Sequence, residues 1–191
     1  MVPIEFGEVA STSMEYIGSM HLVSSGLCTK QEALNIRLGH LEETMRDLPH
    51  MIRGDAFQHW VYEHPEQAMD PDAVGQKWAE LGRRFEQYLD WSGLEALNRN
   101  GWQHMWHFFG MPFYYIEYAF AMIGALQVWR NYLHDPQRAI QRYRHALSLG
   151  AMRPLPELYA AAGAKFAFDT ATLQDVVHLV MGKIEELERE V

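Results

Sequence analysis

Apolar residues recur every three or four positions along most of this chain, and no stretch reads as a strand or carries an Asn-Gly or Asp-Gly hairpin signal. That pattern leaves helices packing on helices as the available architecture. The expected fold class is all-α, with residues 1–191 forming a single helical unit. Punctuation marks agree. Asp70-Pro71 and Asp135-Pro136 each place an acceptor before a proline whose missing N–H costs nothing in a first turn. Thr29 and Glu32 form a capping-box pair, in which each side chain satisfies a backbone N–H of the opening turn. Gly150 and Gly163 read as helix ends, because glycine adopts positive φ without strain.

The spacing predicts a first helix over Glu5–Leu22, with Phe6, Val9, Ala10, Met14, Ile17 and His21 on one side. A second opens at Thr29 and runs through Met45, and Pro49 interrupts or precedes a third over His50–Glu63. The helix after Pro71 carries Val74, Trp78, Leu81, Phe85 and Leu89. Pro112 suits a first helical turn, and Phe113–Trp129 reads as a buried helix. Glu117, Gln127 and three tyrosines make it too polar to span a membrane. Further helices follow Pro136, cover Leu155–Ala162, and start at Asp169 or Thr170 with a charged tail, Glu185–Glu190, expected to fray. Loops are expected at Ser24–Cys28, Glu63–Asp70, Trp91–Gly101 and Met152–Pro156.

Composition narrows the function. With 16 Lys+Arg against 25 Asp+Glu, the formal charge is -9, a poor basis for binding nucleic acid, which requires cations to displace counterions. The single cysteine, Cys28, excludes an internal disulfide and fits a reducing, cytoplasmic setting. The N-terminus has neither the basic segment nor the apolar run of a secretory signal. No P-loop, dinucleotide site or serine nucleophile elbow is present.

Ten histidines invite a metal reading, but His-Glu-x-x-His is absent. His59, Glu63 and His64 have one residue too many for the inverted motif and sit among aromatics. His104 and His107, three apart, would share a helical face as a two-histidine metal site or as packed, hydrogen-bonding side chains. Glu8, Ser11, Thr12 and Glu15 fall on one face of the first helix. That face is either solvated, or Glu8 is a metal ligand with Glu15 supporting it from behind. Tyr114 and Tyr118 share a face at spacing four, Tyr115 and Tyr118 at spacing three. Such phenols either present O–H groups to a developing oxyanion or pack as ordinary core.

Five segments in order resemble the C-terminal part of the oligoendopeptidase F branch of the thimet oligopeptidase-like zinc metallopeptidase family. They are Pro3–Ser11 with Met14-Glu15, Asp55–Trp60 with Glu63–Pro65, His107–Tyr118, Gly124–Asn131 and Pro154–Tyr159. The resemblance implies that Glu8 stands at the third zinc-ligand position and that Glu15 matches a carboxylate of the same helix. It implies that His107 contacts substrate or its oxyanion, and that Tyr115 and Tyr118 stabilise the transition state and bind substrate, with Tyr114 a weaker candidate. Gly110 stands where a larger residue is expected. Only seven residues precede Glu8, so the family's His-Glu-x-x-His helix has no counterpart among these 191 residues.

The resemblance therefore implies a fragment or split half of a zinc-dependent oligoendopeptidase acting on short peptides and inactive alone. The alternative is a non-catalytic helical peptide-binding or interaction protein. An uncovered apolar face would favour either self-association or a complementing chain that carries His-Glu-x-x-His.

Overall fold

The computed structural model describes residues 3–190. Among them are nine α-helices and no strand, so the all-α expectation holds. The helices are α1 (Ile4–Ser19), α2 (Lys30–Glu63), α3 (Pro71–Phe85), α4 (Glu95–Asn100), α5 (Trp106–Gly110), α6 (Ile116–His134), α7 (Pro136–Leu149), α8 (Leu155–Ala162) and α9 (Thr170–Glu188). Contacts divide the chain into two compact units, one of Met1–Met45 with Phe120–Val191, the other of Arg46–Ala119. No helix among the described residues is long and apolar enough to cross a membrane.

The caps form as the local chemistry dictates. The Thr29 backbone N–H donates to Glu32 Oε2 at 2.8 Å, and the Glu32 N–H donates to Thr29 Oγ1 at 3.3 Å. Asp70 accepts from the Asp72 N–H at 3.0 Å, Asp135 from the Arg138 N–H at 3.1 Å, and Asp169 from the Thr172 N–H at 2.9 Å. Gly163 ends α8 at φ +86, the left-handed region open to glycine.

In the first unit, α1 buries Phe6, Val9, Ser13, Tyr16 and Ile17. That stripe differs from the expected one, since Met14 and His21 are exposed and the helix ends at Ser19. Ser13 can be buried because its hydroxyl donates to the Val9 carbonyl at 2.6 Å. The Tyr16 ring stacks on Trp129 of α6 at 5.4 Å, and Phe6 meets Tyr159 of α8 at 5.9 Å. Helix α6 approaches α8 closely at Gly124, where a Cβ would lie 2.6 Å from the Tyr159 ring. Helix α9 adds Val176, Val180 and Ile184 to the core.

In the second unit the core is Phe57 of α2 with Val74, Trp78 and Leu81 of α3. Phe57 and Trp78 meet edge to face at 5.1 Å.

Several boundaries depart from the sequence expectation. Pro49 lies inside a 34-residue α2 instead of dividing it. Proline forfeits one backbone hydrogen bond there, but Leu48 and Met51 on either side are buried, which holds the helix together across it. The expected Trp91–Gly101 loop contains α4, whose polar sequence masks the burial of Asn98. Helix α3 stops at Phe85, leaving Leu89 exposed. The acidic tail stays helical to Glu188, aided by the Lys183–Glu186 pair at 2.6 Å. Pro112 opens no helix, because Phe113 adopts φ +62, which no α-helix accommodates, and α6 begins only at Ile116.

Candidate functional site

The second unit gathers four of the predicted site residues. His107 is half-buried on the short helix α5, Tyr114 and Tyr115 lie in the connection, and Tyr118 sits in the first turn of α6. The His107 ring lies parallel to Tyr114 at 6.2 Å, 5.2 Å from Tyr115, and edge-on to Tyr118 at 5.6 Å. Tyr118 stands perpendicular to Tyr114 at 5.3 Å and meets Tyr115 at 5.9 Å. All four rings thus touch one another's neighbours around one imidazole.

The backbone is forced to make this cluster. Phe113 in the left-handed region costs about 1 kcal/mol for a residue with a Cβ. Its ring is held by His59 at 5.1 Å and Tyr62 at 5.0 Å, both on α2. The reversal at Phe113 carries the chain from α5 into α6, so that His107 faces the tyrosines across the bend. Gly54 of α2 makes room beneath: a Cβ there would lie 2.9 Å from Tyr115 Cδ1 and 3.3 Å from Phe108 Cζ.

Burial pushes the Tyr115 phenol up to about 12, with the negative charges of Asp47 and Glu86 adding to the effect. At neutral pH Tyr115 is therefore an O–H donor. The folded value lies above the unfolded one of about 10, so Tyr115 stabilises the fold fully below pH ~10 and loses that contribution as pH rises toward 12. Phenolate absorbance during alkaline titration is expected to lose its latest-ionising component in Tyr115→Phe, while the milder upward shifts of Tyr88 and Tyr143 remain. Gly54→Ala is expected to displace the ring, destabilise the chain by about 1–3 kcal/mol as overpacking does, and bring that late titration earlier.

Behind Tyr115 lies a charge network that sequence reasoning missed. The His50 ring stands edge-on to Tyr115 at 6.2 Å, and His50 Nδ1 bonds Glu86 Oε1 at 2.5 Å. Glu86 also pairs with Arg53, and both side chains are only 2% exposed. Arg53 donates to the Trp78 carbonyl from Nη2 at 2.9 Å and to Asn98 Oδ1 at 3.0 Å. Its guanidinium lies 3.8 Å over the Trp78 ring, and a Cβ on Gly82 would come within 2.8 Å of it. Burial opposes ionisation of Glu86. The hydrogen bond from His50 and the Arg53 charge outweigh it and hold the carboxyl below the usual range. No local signal marks this group, since Arg53 and Glu86 are 33 residues apart.

The other predicted residues fall elsewhere. Glu8, half-buried, and Glu15, exposed, sit on α1 in the first unit. Glu15 Oε2 lies 3.6 Å from His40 Nε2. His104 and His107 do not share a helix: His104 closes a 3-10 turn over Gly101–His104, and Met105 breaks the chain before α5. His59 Nε2 lies 3.6 Å from Asp55, and His64 Nδ1 donates to the Trp60 carbonyl at 3.0 Å while its ring stacks on the Trp60 indole, both structural contacts.

The sequence profile of Peptidase family M3 matches residues 1–177. The chain belongs to Peptidase family M3. A solved M3-like structure, PZ peptidase A with an inhibitor, superposes with a TM-score of 0.86 at 29% identity, over 97% of this chain and 32% of that one. A putative oligoendopeptidase F gives 0.81 at 30% identity, over 100% and 32%. A putative oligoendopeptidase F from Bacillus anthracis str. Ames, at 24% identity and TM-score 0.74, shares the fold over 97% and 29%. The chain therefore spans about a third of the length of these relatives. No curated protein matches it.

M3 peptidases are in general zinc-dependent. Zn²⁺ takes at least three protein donors. Among the described residues no three His, Cys, Asp or Glu side chains converge to hold a metal ion. The described residues do not by themselves fit a complete zinc centre. At Gly110, where the resemblance leads one to expect a larger side chain, a Cβ would lie 2.6 Å from the Trp106 indole, so the exposed Trp106 ring takes that space.

Proposed function

We propose that this chain supplies the substrate-facing part of a zinc-dependent oligoendopeptidase acting on short peptides, and that it is inactive by itself. The observation that carries this reading is the His107–Tyr114–Tyr115–Tyr118 cluster, with Tyr115 kept protonated beyond neutral pH. Hydrogen-bond donors fixed before the reaction stabilise charge that develops on a scissile carbonyl oxygen. In this reading Tyr115 and Tyr118 donate to that oxygen, His107 contacts the peptide, and Tyr114 lines the approach. Glu8 offers one carboxylate toward a metal whose other donors come from a polypeptide bearing His-Glu-x-x-His. Glu15, beside His40, orients the α1 surface around it.

The second reading is a non-catalytic helical peptide-binding or interaction module. A cytoplasmic location is the setting proposed for either, consistent with the lone Cys28. Both readings separate in one assay. The purified chain is mixed with a polypeptide carrying the His-Glu-x-x-His helix, and zinc-dependent cleavage of a fluorogenic short peptide is followed. Cleavage only in the mixture, lost in Glu8→Gln, supports the peptidase reading. Chelator-sensitive cleavage by the chain alone overturns its inactivity. Peptide binding indifferent to Glu8→Gln, with no cleavage in the mixture, favours the binding module.

A further inference from the structure

Helix α2 carries His50, Arg53, Gly54 and Phe57 at helical spacing, which sets them on one face. The Tyr115 ring lies against two of them. Gly54 leaves room beneath it, since a Cβ there would sit 2.9 Å from Tyr115 Cδ1. The His50 ring stands perpendicular to it at 6.2 Å, and the Phe108 ring does the same at 6.4 Å.

His50 is itself held in place. An imidazole whose side chain is 31% exposed would ordinarily turn about its broad ring torsion. Glu86 stops that rotation. Its carboxylate is kept ionised and can only accept, so His50 Nδ1 carries the proton and donates to Oε1 at 2.5 Å, a charge-assisted bond. Glu86 in turn cannot follow a moving histidine. It also pairs with Arg53, and Arg53 is tied to the Trp78 carbonyl and to Asn98 Oδ1. Arg53 already neutralises the buried carboxylate. The added bond from His50 fixes a ring whose aromatic neighbours are Trp78, perpendicular at 6.0 Å, and Tyr115. All of these residues belong to the second unit. A hydrogen-bond donor to a developing charge has its full effect only when its direction is set before the reaction, and a misplacement of ~1 Å costs about 100-fold.

We propose that His50, held by Glu86, is a positioning residue that fixes the Tyr115 ring and with it the direction in which the phenolic O–H is offered. For turnover this rests on the peptidase reading. For the state of the phenol in the chain alone it does not.

Two variants separate the parts of the histidine. His50→Asn keeps an N–H donor for Glu86 and removes the ring beside Tyr115. His50→Phe keeps a ring and removes the donor. In the complemented peptidase each is expected to lower kcat by ~10–100-fold with KM little changed. Because Glu86 keeps a partner in His50→Asn, that variant carries the test if the other does not fold. The deciding comparison is a double-variant cycle. In a Tyr115→Phe background the same changes are expected to alter kcat by less than ~2-fold, since the donor they position is gone. Equal losses with and without the phenol overturn the proposal, because such damage does not pass through Tyr115. Full kcat in His50→Asn also overturns it, and full kcat in His50→Phe overturns the role of Glu86.

The chain alone supplies a reading independent of activity. The Tyr115 phenol, pushed up to about 12, is expected to ionise earlier in His50→Asn as water enters beside the ring. The other ionisable groups around that phenol, Asp47, Glu86, His107 and Tyr118, are unaltered by the substitution. An unchanged titration overturns the positioning of the ring. An earlier titration, in a chain that gives no cleavage with any partner bearing His-Glu-x-x-His, upholds the positioning and overturns the peptidase reading instead.

Discussion

Arg53→Met is expected to destabilise the chain by about 3–5 kcal/mol, the usual range when one partner of a buried ion pair is removed. The loss arises less from the attraction given up than from what is left behind. Glu86, 2% exposed, would keep a charge with only His50 to balance it, and the Trp78 carbonyl and Asn98 would lose their donors. Urea unfolding measures it as a shift in midpoint at unchanged slope. The double variant Arg53→Met/Glu86→Leu is expected to recover much of the loss, because replacing both ions with apolar groups removes the stranded charge. A single-variant loss below about 1 kcal/mol would place the pair in the class of solvent-screened surface bridges. The pH profile has a definite sign as well. The folded Glu86 carboxyl ionises below its usual range, so its stabilisation is present above the unfolded value of about 4.5 and is lost as pH falls through the folded one. Acid unfolding of Glu86→Gln is expected to show a shallower dependence in that window.

Tyr115→Phe is expected to lower kcat of the complemented peptidase by ~100–1000-fold, the range seen when one preorganised oxyanion donor is removed. The change is small in shape. The ring still fits against Gly54 and Phe108, and still meets His107 and Tyr118, so folding is expected to survive. Only the O–H is deleted. A donor that acts in the transition state lowers kcat and kcat/KM together, whereas a group that merely holds peptide raises KM. A Tyr115→Phe enzyme with intact kcat and raised KM would assign the phenol to ground-state binding. Intact values of both would remove Tyr115 from the site.

What could be read in advance divides by how local its cause is. The caps at Thr29, Asp70, Asp135 and Asp169 lie within three residues of the groups they satisfy, so the sequence signals the first three directly and narrows the last to Asp169 or Thr170. Pro49 and α4 were misread because tertiary burial decided them: Leu48 and Met51 carry α2 past a proline, and buried Asn98, which accepts from Arg53, lies within a stretch that looks like loop. The His107–Tyr118 cluster was legible only through family resemblance. His107 sits on α5, Tyr118 on α6, and Tyr114 and Tyr115 in the connection that turns at the strained Phe113, so helical spacing could not have assembled them.

The division between the two units falls within helices, after Met45 inside α2 and after Ala119 inside α6. Residues 46–119 are thus an insertion whose two ends both fall within helical, hydrogen-bonded backbone. No loop marks where to cut. Excising the segment at either point opens a helix and exposes up to four amides and four carbonyls to be satisfied anew. A protease seeking the junction meets ordered backbone there. Attempts to express either piece alone, or to permute the chain at these points, start with that deficit, whereas the turn after Ser19 and the connection between α3 and α4 offer breakpoints that sever no helix.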